Sequence, residues 1–111
     1  MRKLSDKVYV IGNRGVPTVK IGIAVDVERR LAEIANGWCP WRIDRSALIA
    51  LRVYETSAAR RMETALHAAF APLRLRRLPG DGTPVEWFRF GAGAPFLIDG
   101  RVAQLREDGW V

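Results

Sequence analysis

The sequence predicts an α+β fold, a small antiparallel sheet of three strands flanked by helices. Two β-branched runs, at 7–11 and 18–23, surround a turn that contains glycine and proline, a pattern typical of an antiparallel hairpin. The apolar run Ala47–Tyr54 predicts a third, well-buried strand. Two further segments place apolar residues three and four positions apart, which is the spacing of an amphipathic helix.

Capping residues and periodicity locate the two helices. Asp26 is a typical N-cap residue, and the first helix is predicted from there to just before Gly37. Its apolar stripe comprises Val27, Leu31, Ile34 and Ala35. Thr56 or Ser57 is predicted to cap the second helix. The apolar stripe of that helix comprises Met62, Leu66, Ala69 and Phe70.

The C-terminal third is predicted to contain one extended segment and one helix. Glu86–Phe90 is predicted to be extended, and Ala94–Glu107 is predicted to be helical despite Gly100. No repeat, low-complexity tract or linker interrupts the 111 residues. We therefore expect one domain over residues 1–111, with a core at about 7–90 and a C-terminal helical extension at about 94–107.

The charge balance favours a polyanionic partner. The chain carries a formal net charge of +6, and all but three of its 18 basic residues are arginines. A basic surface is common in nucleic-acid-binding proteins, although arginine-rich usage also follows from the base composition of coding DNA. No apolar stretch is long enough to cross a bilayer, and no leader peptide is recognisable. We therefore expect an intracellular protein, cytoplasmic or associated with the nucleoid, and the single Cys39 agrees with a reducing compartment.

Short motifs in this order resemble the GIY-YIG nuclease superfamily. Lys7-Val8-Tyr9 and Lys20-Ile21-Gly22 occupy the places of the two motifs that name that family, one on each hairpin strand. Arg30 follows on the first predicted helix and Glu63 on the second. The chain is most similar to a phage-type, DNA-binding branch with a Lys-Ile-Gly second motif. The motifs it shares with that branch include Glu63, His67 and Phe70 on one helix, then Glu86-Trp87-Phe88.

The resemblance implies a set of roles in phosphodiester hydrolysis. Tyr9 would be the general base that deprotonates water, Arg30 would hold a phosphate oxygen, and Glu63 would bind Mg²⁺ or Mn²⁺. Lys20 and Arg30 would lower the pKa of Tyr9, which is about 10 for a free phenol. His67, one helical turn after Glu63, is a further catalytic candidate.

Basic residues outside these motifs are candidates for contacts with DNA. Arg14 lies in the predicted hairpin turn, and the group Arg74, Arg76 and Arg77 follows the second helix. Lys20, on the second strand, also suits a phosphate contact. Such contacts position a duplex without reading its sequence, and they make the affinity fall as salt is added.

Each candidate also has a purely structural interpretation. Tyr9 can simply pack in its strand, Gly22 can avoid a clash with a neighbour, and Arg30 can be a solvated charge on its helix. Glu63 and His67, four residues apart on one helix, can contact only each other. The functional interpretations require these side chains to lie together in one site, whereas the structural interpretations do not.

The leading hypothesis is a metal-dependent DNA endonuclease, a small basic hydrolase encoded by a phage or a mobile element. Because Lys20 stands where the resembled nucleases have their second tyrosine, the alternative is a DNA-binding module on the same fold that lacks catalysis. A third hypothesis is a basic protein that binds another protein. The expected partner is DNA, with neither a membrane nor a small organic cofactor.

Overall fold

Residues 5–111 are described by the computed structural model, so the first four residues of the expected domain lie outside it. The described part contains five strands and three α-helices, in the order β1 (Lys7–Gly12), β2 (Thr18–Ala24), α1 (Val27–Asn36), β3 (Ile49–Glu55), α2 (Ala59–Ala69), β4 (Arg74–Arg76), β5 (Pro84–Arg89) and α3 (Ala94–Glu107). Single 3-10 turns lie before β3, at Arg45–Ala47, and after α2, at Ala71–Leu73.

The five strands form one antiparallel sheet in the order β3-β1-β2-β5-β4. The prediction of a three-stranded sheet is therefore wrong. β5 (Pro84–Arg89) overlaps the segment Glu86–Phe90 that was expected to be extended, and it begins two residues earlier. β4 is missing from the prediction because its three residues, with arginines at both ends, carry no alternating apolar pattern. It forms at the sheet edge, paired with β5, where exposed charged side chains are common.

The predicted hairpin and helices are present. β1 pairs antiparallel with β2 along its whole length. Asp26 caps α1 as predicted, accepting a hydrogen bond from the N–H of Arg29 at 3.1 Å. α2 begins without a side-chain cap after Ala58, whose own N–H donates to the Thr56 hydroxyl oxygen. α3 covers the predicted range. No helix in residues 5–111 is long and apolar enough to cross a membrane.

Apolar layers cover both faces of the sheet. On one face, α2 and α3 pack against strand residues that include Val8 and Phe88. On the other face, α1 and the segment 37–48 pack against strand residues that include Tyr9 and Trp87. Successive side chains of a strand point to opposite faces of the sheet. Val8 and Tyr9 on β1 therefore contribute to different layers, and so do Trp87 and Phe88 on β5. The core therefore continues through the sheet, and Trp87 and Phe88 are both buried.

A polar cluster fastens the edge strand β3 to α3. The Asp99 carboxylate accepts hydrogen bonds from Arg52 Nε at 3.0 Å and from the Tyr54 hydroxyl at 2.5 Å. Burial, followed by this hydrogen bond, raises the pKa of Tyr54. The predicted third strand is thus an edge strand with exposed positions such as Val53, held in place partly by polar contacts.

Candidate functional site

A small pocket opens where β5 separates from β2. The two strands pair from Thr18, opposite Arg89, to Lys20, opposite Trp87, whereas β2 continues to Ala24. The pocket has a volume of about 230 Å³. Its lining comes from both helical layers and from the sheet between them: Tyr9, Lys20, Ile23, Arg30, Arg60, Glu63 and Glu86.

The hairpin register places Tyr9 in this pocket. Tyr9 on β1 lies directly opposite Gly22 on β2, and its ring passes over the glycine so closely that a Cβ built at Gly22 would overlap the Tyr9 hydroxyl. Only 2% of Tyr9 is exposed. Burial, followed by the negative charge of Glu86, raises its pKa, and the nearby Arg30 opposes that shift. The phenol therefore carries its proton at neutral pH.

Three basic side chains line the pocket. Lys20 comes from β2, Arg30 from α1 and Arg60 from α2. Burial lowers the pKa of Lys20, while the charge of Glu86 opposes this effect. The Arg30 guanidinium lies 3.3 Å from the Glu33 carboxylate, in an exposed ion pair. Such pairs are weak in water, so the guanidinium remains available to an anion in the pocket.

Two carboxylates, Glu63 and Glu86, also line the pocket, and the single histidine lies beside them. One ligand atom each from Glu63, His67 and Glu86 lies within 4.8 Å of the others. Burial, followed by the charge of Glu86, raises the pKa of Glu63. His67 Nε2 donates to the backbone carbonyl oxygen of Ile21 at 2.8 Å. Because a neutral imidazole carries one N–H, this bond leaves the Nδ1 lone pair free to accept a proton or bind a metal.

This arrangement fits a divalent cation. Two carboxylates suit Mg²⁺ or Mn²⁺, which bind oxygen ligands and retain water, and an imidazole nitrogen adds a donor of the kind that transition metals accept. Burial is the larger cause of the raised pKa of Glu63, and the neighbouring Glu86 carboxylate adds to it. A cation between the two carboxylates would relieve their mutual repulsion.

The structure brings together most of the residues that the resemblance had grouped. Tyr9, Lys20, Arg30 and Glu63 line one pocket, and His67 lies beside Glu63 in the acidic group. The outlying candidates lie elsewhere. Arg14 lines a separate cavity of about 470 Å³ at the hairpin turn.

The three other arginines lie on or beside the sheet edge. On β4, Arg74 Nε donates to the Val85 carbonyl oxygen. Arg76 of the same strand donates to the Gly82 carbonyl oxygen, and the Arg77 N–H donates to the Thr83 carbonyl oxygen. The Arg74 guanidinium therefore links β4 to β5, and the Arg76 guanidinium binds the segment between them.

Two pocket residues, Glu86 and Arg60, were assigned no role from the sequence. Glu86 directly precedes two aromatic residues that are buried on opposite faces of the sheet. A charged residue next to buried aromatic residues was the sequence signal of a polar site within the core. Arg60 lies three residues before Glu63 on α2, a spacing that places both on one side of the helix.

A family model described as the T5orf172 domain matches residues 6–107. The chain belongs to the T5orf172 domain family. The expectation of a GIY-YIG nuclease, including its DNA-binding branch, is therefore wrong, because the matching model is that of a distinct family. The motifs that suggested it have a local cause: Tyr9 packs over the opposite strand and needs a glycine at position 22.

T5orf172 domains are associated with phage-type DNA-binding and endonuclease-like proteins. Membership of this family is consistent with a DNA-binding or nuclease role for the chain. Neither the curated proteins nor the solved structures contain a significant match to it.

Proposed function

We propose that this T5orf172 domain hydrolyses phosphodiester bonds of DNA in the pocket between α1 and α2, with Mg²⁺ or Mn²⁺ as cofactor. The observation that carries the proposal is the presence of both kinds of charge in one pocket of about 230 Å³: the basic Lys20, Arg30 and Arg60 line it together with the acidic Glu63 and Glu86. A phosphodiester needs positive charge around its oxygens, and a divalent ion needs carboxylates.

Glu63 and Glu86 would hold the ion, with His67 Nδ1 as a further ligand. When bound, the ion would stabilise negative charge that develops on the phosphate oxygens and would favour ionisation of water. The residues of the chain complete the site. Arg30 would hold a non-bridging oxygen, for which a planar guanidinium is well suited, and Arg60 would contribute a second positive charge from α2.

Tyr9 and Lys20 are the groups nearest to the reacting phosphate in this proposal. Because burial and Glu86 raise the pKa of Tyr9, its hydroxyl would donate a hydrogen bond to a phosphate oxygen at neutral pH. Its role as general base stays a prediction that requires more positive charge beside the phenol. Burial lowers the pKa of Lys20, which brings its amine closer to the range where it can accept a proton.

Nicking of supercoiled plasmid in Mg²⁺ or Mn²⁺, compared with EDTA, tests the proposal. We expect metal-dependent cutting that falls about 10²-fold or more in Glu63→Gln and in Arg30→Ala, since each removes a charge that acts on the transition state. Tyr9→Phe retains the ring and tests the hydroxyl alone. Glu107→Gln, at an exposed position at the C-terminal end of α3, is the matched control and should cut at the wild-type rate.

A second function, DNA binding without catalysis, is favoured by one observation. The direction in which the pKa of Tyr9 shifts is opposite to the direction that a general base needs. Wild-type protein that retards DNA on a gel, yet cuts it with neither metal, would establish this function. Protein that neither cuts nor retards DNA would contradict both functions and would favour a protein partner.

A further inference from the structure

A groove between α2 and α3 begins at the candidate pocket. Its volume is about 740 Å³, and Arg60 lines both the groove and the pocket that contains Glu63. Ala65 and Leu105 form part of an apolar floor, and Trp110 lies at the C-terminal end of α3. A ligand that occupies the pocket can therefore continue along α2 without leaving the protein surface.

The groove is positively charged. Arg60, Arg61 and Arg101 line it, and among the described residues no acidic side chain does so. A phosphate oxygen is a strong acceptor for a guanidinium. Three arginines without a carboxylate among the described lining residues therefore suit an anionic ligand.

A second cleft adjoins the pocket at Arg30 and Arg60, and its charges are balanced. Arg29 lines it together with these two arginines, but so do Asp6, Asp26 and Glu33. The three carboxylates offset the three arginines, so this cleft offers a phosphate backbone no net attraction. A nucleic-acid strand that leaves the pocket therefore finds net positive charge along α2 and α3 and none between β2 and α1.

Trp110 indicates which form of nucleic acid the groove accepts. Its side chain is 55% exposed, and its backbone N–H donates to the Leu105 carbonyl oxygen at 2.9 Å, which fixes the residue against the end of α3. Aromatic side chains beside positive charges bind unpaired bases by stacking. In the grooves of a duplex only the base edges are accessible, so an unpaired strand offers Trp110 far more base surface for stacking.

We infer that this groove binds a single-stranded segment of DNA that continues from the phosphate in the pocket. The substrate class is then DNA with an unpaired strand beside the scissile bond, as in a flap or a gap. The inference rests on the proposed function for the phosphate in the pocket, whereas the groove itself is argued from Arg61, Arg101 and Trp110.

Fluorescence anisotropy with a labelled oligo-dT of 15 nucleotides tests the groove. We expect Trp110→Ala to weaken binding at least fivefold, because stacking on one base contributes about 1–3 kcal/mol, and Trp110→Phe to restore most of the affinity. Arg101→Gln should weaken binding and reduce the salt dependence by about 0.7 in the log–log slope, the value for one phosphate of a single strand.

The loop residues Trp41 and Arg42 provide matched controls. Trp41 is 84% exposed and stacks with the Arg42 guanidinium at 4.9 Å from the ring centroid, outside the groove. Trp41→Ala and Arg42→Gln should bind oligo-dT as the wild type does. Equal losses at Trp41 and Trp110, or no loss at Trp110 in a variant with an unchanged melting temperature, would overturn the inference.

Cleavage measured on the same preparations separates this inference from the proposed function. If the proposal and the inference both hold, a flap substrate is cut faster than a blunt duplex, and Trp110→Ala removes the difference. If Trp110→Ala weakens the binding of oligo-dT but the wild type cleaves no DNA, the proposed hydrolysis is contradicted. The assignment of the groove as a binding site for single-stranded DNA then stands. If poly-glutamate binds in a Trp110-dependent manner and oligo-dT does not, the groove binds an acidic protein and the inference is overturned.

Discussion

At the scale of single residues, the ionised carboxylate of Glu63 would serve the proposed chemistry but destabilises the fold. Its carboxylate is partly buried beside Glu86, and both the burial and the like charge raise its pKa. A carboxylate whose pKa is higher in the folded state than in the unfolded state destabilises the fold when it ionises. We therefore expect that the pair Glu63 and Glu86, which would bind a cation, lowers the free energy of unfolding when no cation is bound.

Glu63→Gln should raise the melting temperature in EDTA at pH 7 by a few degrees, since about 4–8 °C corresponds to 1 kcal/mol in a domain of this size. Below the unfolded pKa, near 4.5, Glu63 is protonated in both states, so the gain should vanish there. As the pH rises through the folded pKa, the wild type loses stability relative to the variant. Thermal melts from pH 4 to pH 8 measure this difference.

The matched control for this prediction is Glu55→Gln at the exposed end of β3. It should show no comparable rise in melting temperature at pH 7. Addition of Mn²⁺ should then stabilise the wild type and leave Glu63→Gln nearly unchanged, because a ligand stabilises only the state that binds it. A variant that melts below the wild type at pH 7 in EDTA would show that Glu63 makes a net favourable contact instead.

At the scale of elements, the β1–β2 hairpin positions the candidate site through one cross-strand pair. Tyr9 and Gly22 are directly opposite, and the space above the glycine is filled by the phenol ring. This contact, and not a need for backbone freedom, explains the glycine. The same pair fixes the phenol in the lining of the pocket, so hairpin packing and site geometry have a common origin.

Gly22→Ala should destabilise the protein by about 1–3 kcal/mol, the usual cost of forcing an extra carbon into a packed site, and should displace Tyr9 from the pocket. The double variant Tyr9→Ala with Gly22→Ala tests this cause. Once Tyr9→Ala has removed the ring, Gly22→Ala should lower the free energy of unfolding little further. The coupling energy between the two substitutions should then be about as large as the effect of Gly22→Ala alone. Urea denaturation of the four proteins in this cycle supplies the numbers.

The elements differ in how far the sequence could specify them, for physical reasons. α1 was predictable because its Asp26 cap and its apolar stripe are local signals. β4 was not, because Arg74–Arg76 becomes a strand only by pairing with β5. The cap of α2 was predicted at Thr56 or Ser57, but the helix begins after Ala58. Motif order placed Tyr9 and Glu63 in one site, whereas Glu86 joins them only because β5 separates from β2 beyond Lys20.

At the scale of the whole molecule, the net charge of +6 and the longest dimension of 40 Å constrain how DNA is bound. With base pairs about 3.4 Å apart, 40 Å corresponds to roughly 12 base pairs. A duplex of 16 base pairs is then long enough for every contact the protein can make along one direction. Binding to this duplex should weaken with salt according to the number of phosphates contacted, at a slope of about −0.9 for each.

Arg14 and Arg77 are exposed at separate parts of the surface, and each is expected to contact a phosphate. Arg14→Gln and Arg77→Gln should each reduce the salt slope by about 0.9 and weaken binding to all sequences alike. Arg42→Gln removes the same charge from a residue that stacks on Trp41, so it controls for net charge alone. If Arg42→Gln reduces the salt slope as much as Arg14→Gln and Arg77→Gln do, long-range attraction accounts for the affinity. If Arg42→Gln leaves the slope unchanged while the other two variants reduce it, the duplex lies against Arg14 and Arg77.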